Sequence, residues 1–86
     1  MALADFLKQL DDLTAQAAAS FESASDSESL EAARVEFLGA KQGKLKTAQK
    51  GMGQVDKADR PAAGKRLNEA KQQIDAAFKE ASQRLV

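Results

Sequence analysis

After the chain's one proline, Pro61, apolar side chains recur at Ala63, Leu67, Ala70, Ile74, Ala77 and Ala81, in steps of four, three, four, three and four. That spacing keeps a single stripe of an α-helix turned toward a partner, as in a coiled coil, and no β-strand can use it. Proline suits a first helical turn, where its missing N–H goes unused, and it restricts Arg60 before it. A helix from Pro61 to residue 86 would be about 39 Å long at 1.5 Å per residue. The seam is also thin. Of the 37 hydrophobic residues, 18 are alanine, and the large apolar side chains are nine Leu, four Phe, three Val, two Met and one Ile. Alanine favours helix because it loses no side-chain entropy, and it lets helices approach closely. Without Trp or Tyr and with few β-branched residues, there is little to build a sheet. The expected fold class is all-α: an antiparallel coiled-coil helical hairpin with an additional N-terminal helix.

Upstream, Leu3, Phe6, Leu10, Leu13 and Ala17, with Leu7 and Phe21 alongside, mark a first helix over roughly residues 2–21. The small polar residues 22–29 form a connector, and Ser25 with Glu28 makes a capping-box pattern that starts a second helix near Asp26. The stripe of this helix, Leu30, Ala33 and Phe37, lapses between Gly39 and Gly43 and resumes at Leu45, Ala48 and Met52. The resumed stripe lies roughly 70° round the axis. The spacing thus predicts one helix over 26–52 broken near 39–43, a turn over 51–59, and a last helix over 60–86, all in one arm domain of residues 1–86. In the architecture this suggests, the last helix packs antiparallel on the second, the first covers part of the pair, and the acidic first helix lies away from the turn.

Net charge is zero but segregated. Residues 1–36 hold eight acids against Lys8 and Arg34, whereas residues 37–71 hold nine cations against Asp56, Asp59 and Glu69. Lys41, Lys44, Lys46 and Lys50 have no acid among them, and a hairpin brings them to the same end as Arg60, Lys65 and Arg66. Such an array suits phosphate contacts, and the lack of aromatics beside it argues against base stacking. A solvated face is the plainer reading. The last helix illustrates it with opposite charges four apart: Lys65 and Glu69, Asp75 with Lys71 and Lys79, Glu80 and Arg84.

Other chemistry is excluded by residue type. With no Cys and no His, there are no disulfides, thiol nucleophiles, imidazole acid–base pairs or ordinary zinc sites. Asp11, Asp12 and Glu36 are surface acids with no catalytic company. Gly39-Ala40-Lys41-Gln42-Gly43-Lys44 lacks the glycine spacing and the Lys-Ser/Thr ending of a phosphate-cradling loop. No apolar run nears the roughly 20 residues of a membrane span, and the N-terminus lacks the regions of a signal peptide. A soluble cytoplasmic protein with no catalytic, metal or cofactor site in this segment is expected.

Two separated motifs carry a family resemblance. Arg34-Val35-Glu36-Phe37-Leu38-Gly39, followed by Lys41, Gly43 and Leu45, resembles the Arg-x-x-x-Leu-Gly-Lys-Lys-Gly-x-Leu motif of phenylalanyl-tRNA synthetase alpha chains. Arg60-Pro61-Ala62-Ala63-Gly64, leading to Asn68 and Lys71, is similar to the same family's Arg-Pro-x-x-Gly-x-x-x-Asn-x-x-Lys segment. The likeness covers roughly residues 20–80. Ala40-Lys41-Gln42 stands where two lysines are common, Lys46 replaces a usual Thr, and Val55-Asp56-Lys57 replaces a stretch in which two prolines are common.

The resemblance implies a helical arm at the start of the alpha subunit, followed in the parent chain by a class II catalytic domain. It implies an alpha2-beta2 tetramer that uses ATP and Mg2+ to join phenylalanine to tRNA(Phe), with the arm docking tRNA. The nucleic-acid-binding residues expected are Lys41, Lys44, Lys46, Lys50, Arg60, Lys65 and Arg66. The competing reading is a helical protein–protein interaction module that does not bind nucleic acid.

Overall fold

Four α-helices organise the chain in a computed structural model that describes residues 2–39 and 43–85. They are α1 (Leu3–Ser23), α2 (Ser27–Leu38), α3 (Lys44–Lys50) and α4 (Arg60–Arg84). Two short 3-10 turns, Gly51–Gln54 and Lys57–Asp59, join α3 to α4. No strand occurs among the described residues.

The connector is shorter than the sequence predicts, because α1 runs on to Ser23. The second helix is capped by Asp26 and Ser29 rather than by Ser25 and Glu28. The Asp26 carboxylate accepts from the Ser29 backbone N–H at 2.8 Å, and the Ser29 hydroxyl accepts in return from the Asp26 N–H at 3.3 Å. A charged acceptor at the positive end of a helix is the better cap. The predicted break near 39–43 falls partly on residues 40–42, outside the described residues; on either side of them α2 ends at Leu38 and α3 begins at Lys44. Gly39 follows α2 and Gly43 precedes α3, both in extended backbone with ψ of 144° and 143°. A Cβ on Gly39 would lie 2.4 Å from the Val35 carbonyl oxygen, and one on Gly43 would lie 2.6 Å from both N and O of Gly39. Glycine is required here for close approach of backbone to backbone, not for an unusual φ.

Neighbouring side chains set the directions. Leu30 lies beside Ser82 and Leu85, Phe37 beside Phe78, and Met52 beside Gly64, so α2 and α3 run antiparallel to α4. Asp11 bonds to Arg66, while the carbonyls of Phe21, Glu22 and Ala24 meet Arg84, so α1 runs parallel to α4. The predicted pairing needs correcting at this point: α4 packs most extensively on α1, not on the second helix. The apolar stripes explain it. α1 buries Phe6, Leu10, Leu13, Ala17 and Phe21, whereas α2 buries only Leu30 and Phe37, and α3 only Leu45 and Ala48. The large side chains of α1 meet Ala63, Ala70, Ile74 and Ala81 of α4, which are all buried. The seam residue Leu67 is only half-buried, on the flank toward α3.

Phe21 joins the three layers, edge-on to Phe37 (6.2 Å between centroids) and to Phe78 (5.7 Å). Val55, in an otherwise polar turn, is 2% exposed and plugs the end of the core. The molecule measures 44 × 20 × 15 Å, a short rod little longer than α4 itself.

Candidate nucleic-acid interface

Of the seven predicted cations, Lys41 lies outside the described residues. The structure divides the other six by how their charge is used. The guanidinium of Arg60 closes the turn: Nε donates to the Val55 carbonyl at 3.2 Å and Nη2 to that of Gly53 at 3.1 Å. This holds Arg60 in helical geometry, φ −60° and ψ −38°, despite the proline after it. Arg66 bonds to Asp11 of α1 and to Glu69 one turn on. The hydrogen bond to Asp11 raises its pKa above the usual guanidinium range, and Glu69 adds to that, so its charge is fixed and largely satisfied. Lys44 places Nζ 3.4 Å from Glu36 and 5.0 Å from the centre of the Phe37 ring. Lys46, Lys50 and Lys65 are exposed and form no ion pair among the described residues.

The placement of α1 corrects a second expectation. Because α1 is parallel to α4, its acids do not lie away from the basic segment. Asp11 reaches Arg66, and Asp12 lines the same groove as Lys44 and Thr47. The pairs expected within α4 also give way. Glu69 is held by Arg66, and Arg84 turns from Glu80 to three carbonyls at the C-terminal end of α1: Phe21 and Glu22 at 3.1 Å, Ala24 at 3.4 Å. Helix-end carbonyls lack partners within their own helix, which makes them the stronger attraction for a guanidinium. With Glu69 taken by Arg66, Lys65 is exposed and without an ion pair among the described residues, and so are Lys71 and Lys79.

These lysines line a groove. Between α2–α3 and α4 it runs past Leu45, Gln49 and Lys71, bordered near the turn by Met52 and Lys65 and farther along by Arg34, Lys46 and Lys79. Sequence reasoning missed Lys71 and Lys79 because it assigned both to Asp75. Among the described residues Asp75 forms an ion pair with neither of them. Cations without partners along a trough can hold a polyanion in place. Among the described residues no group of His, Cys, Asp and Glu could hold a metal ion, and no helix is long and apolar enough to cross a membrane.

Comparison with known proteins places this geometry. The chain is 54% identical over 85 residues to the phenylalanine–tRNA ligase alpha subunit of Rhodopirellula baltica, covering 99% of this chain and 24% of that protein. It is 43% identical over 70 residues to the alpha subunit of Alteromonas mediterranea, covering 81% and 21% of the two chains. To that of Syntrophobacter fumaroxidans it is 49% identical over 61 residues, covering 71% and 18%. The chain therefore spans about a quarter or less of the length of these relatives. No solved structure matches it. The family model described as "Aminoacyl tRNA synthetase class II, N-terminal domain" matches residues 25–86. Since that match takes in α2, α3 and α4 with the groove between them, the chain belongs to the family of class II aminoacyl-tRNA synthetase N-terminal domains.

Proposed function

We propose that this chain is the tRNA-docking arm of a phenylalanine–tRNA ligase alpha subunit, gripping the phosphates of tRNA(Phe) with the basic hairpin formed by α3 and α4. The observation that carries the proposal is that Lys46, Lys50 and Lys65, on the two limbs of the hairpin, have no ion pair among the described residues. In this reading ATP, Mg2+ and phenylalanine are handled by the rest of the alpha subunit, which joins the beta subunit in an alpha2-beta2 tetramer in the cytoplasm. The arm positions the substrate and takes no part in the chemistry.

The test is a salt titration of tRNA binding. Each phosphate contact contributes about 0.7–0.9 to the slope of log K against log salt, so three contacts give a slope of at least about 2. Affinity should then fall about 20- to 40-fold between about 50 and 200 mM salt. Binding that ignores salt, in protein shown to be folded, would replace this reading with a protein-interaction module.

A further inference from the structure

The cations of this molecule are sorted by face, and α1 does the sorting. Grooves run between α1 and α3, between α1 and α2, and between α2–α3 and α4. The one between α1 and α3 holds Asp12 with Lys44, whose charge is already met by Glu36. Where α1 meets α4, Asp11 neutralises Arg66. In the third groove, between α2–α3 and α4, α1 contributes nothing to the lining. Lys46, Lys65, Lys71 and Lys79 line that groove, together with Arg34, which Glu31 holds. Asp75 is the sole acid among the residues that line these two stretches. From Lys65 to Lys79 the three α4 lysines span about 21 Å of helix, enough to follow several phosphates of an RNA strand.

From this asymmetry we infer that the arm is one-sided: the ribose–phosphate backbone of RNA lies along the groove between α2–α3 and α4, Lys71 and Lys79 position it beyond the hairpin tip, and the acids of α1 keep RNA off the opposite face. The inference rests on the tRNA-docking reading and deepens it. It adds two residues, Lys71 at the end of the Arg-Pro-x-x-Gly-x-x-x-Asn-x-x-Lys segment and Lys79 beyond it, that were not among the expected nucleic-acid contacts, and it gives α1, which lies outside the matched residues 25–86, a role in setting the face used. Cations recur along the whole length of the groove, and its apolar floor of Phe37, Leu45, Leu67 and Phe78 belongs to the core or packs against it, a pattern that favours a continuous polyanion such as RNA over an acidic protein segment. Phosphates contacted through flexible lysines need only charge and reach.

Single-charge substitutions in the full-length protein test this, read by fluorescence anisotropy of an unmodified phenylalanine-tRNA transcript across a potassium chloride series. All are at exposed positions, and circular dichroism checks that each variant is folded. Lys71→Gln and Lys79→Gln should each lower the log–log slope by about 0.7–0.9 and weaken binding several-fold at low salt. Lys8→Gln, the same charge change on α1, should leave both within about 1.5-fold, as expected for a face outside the contact. Asp75→Asn should tighten binding about two- to threefold, and Asp12→Asn should not, because screening confines each effect to nearby phosphates. Equal effects of Lys8→Gln and Lys71→Gln would overturn one-sidedness while leaving tRNA docking in place. So would a steep wild-type slope untouched by the groove variants, the result expected if an acidic protein segment filled the groove. A wild-type protein with no salt-dependent tRNA binding would overturn the docking reading itself, and this inference with it.

Discussion

At the scale of single residues, Gly43 is, with Gly39, a position that has no room for a side chain. Its Cβ would meet two backbone atoms of Gly39, neither of which can swing aside as a side chain does. Gly43→Ala should therefore cost about 1–3 kcal/mol in urea unfolding, the usual range for an overpacked site. Gly53 is the contrast, with nothing within 4 Å of a Cβ and no positive φ. Gly53→Ala should be neutral or stabilise by up to about 1 kcal/mol through the unfolded chain. Ile74 is fully buried, and Ile74→Ala should cost about 2–4 kcal/mol; a loss below half a kcal/mol would contradict the packing of α4 described above. Asp26 has its pKa lowered by the Ser29 backbone N–H and then by the Ser29 hydroxyl. A lowered native pKa gives stability that is complete above the ordinary aspartate value of about 3.9 and fades as pH falls through the native value. Asp26→Asn should therefore flatten the acid limb of the stability curve and leave pH 7 to 9 unaffected in shape.

At the scale of elements, helix positions were legible in the sequence but their partners were not. The apolar stripes locate α1, α2, α3 and α4, and the slip between Phe37 and Leu45 marks the glycine break, because periodicity is a local property. Which stripe meets which depends on the total area each offers. Five large or closely packed positions on α1 outweigh two on α2 and two on α3, a comparison that no single helix reveals. Arg84 was read as a surface partner of Glu80, although it ties the end of α4 to the end of α1 through three carbonyls. The parallel register of α1 and α4 can be tested by a double-mutant cycle on Asp11 and Arg66. Asp11→Asn and Arg66→Gln should show a coupling of about 0.2–1 kcal/mol, typical of an exposed pair, that shrinks in high salt. A coupling of zero at low salt would place α1 elsewhere.

At the scale of the whole molecule, charge segregation was visible in the sequence, but its sidedness was not, because that depends on where α1 lies. Residues 1–36 hold most of the acid, and once α1 is parallel to α4 two of those acids, Asp11 and Asp12, reach one face of the basic hairpin. What remains is a rod with a cationic trough and with no group of metal-ligating side chains among its described residues. Such a body can raise the local concentration of a polyanion and fix its position. In the tRNA-docking reading its contribution falls on binding of the macromolecular substrate. On the tRNA-docking reading proposed above, replacing Lys46, Lys50 and Lys65 together by glutamine in the full-length protein should raise the tRNA KM about tenfold or more at low salt, as three phosphate contacts require. Phenylalanine-dependent pyrophosphate exchange, which needs no tRNA, should proceed at the wild-type rate. A loss of exchange equal to the loss of aminoacylation would show that these lysines support the catalytic body and not the docking of tRNA, since a residue that acts only on tRNA binding cannot slow a step from which tRNA is absent.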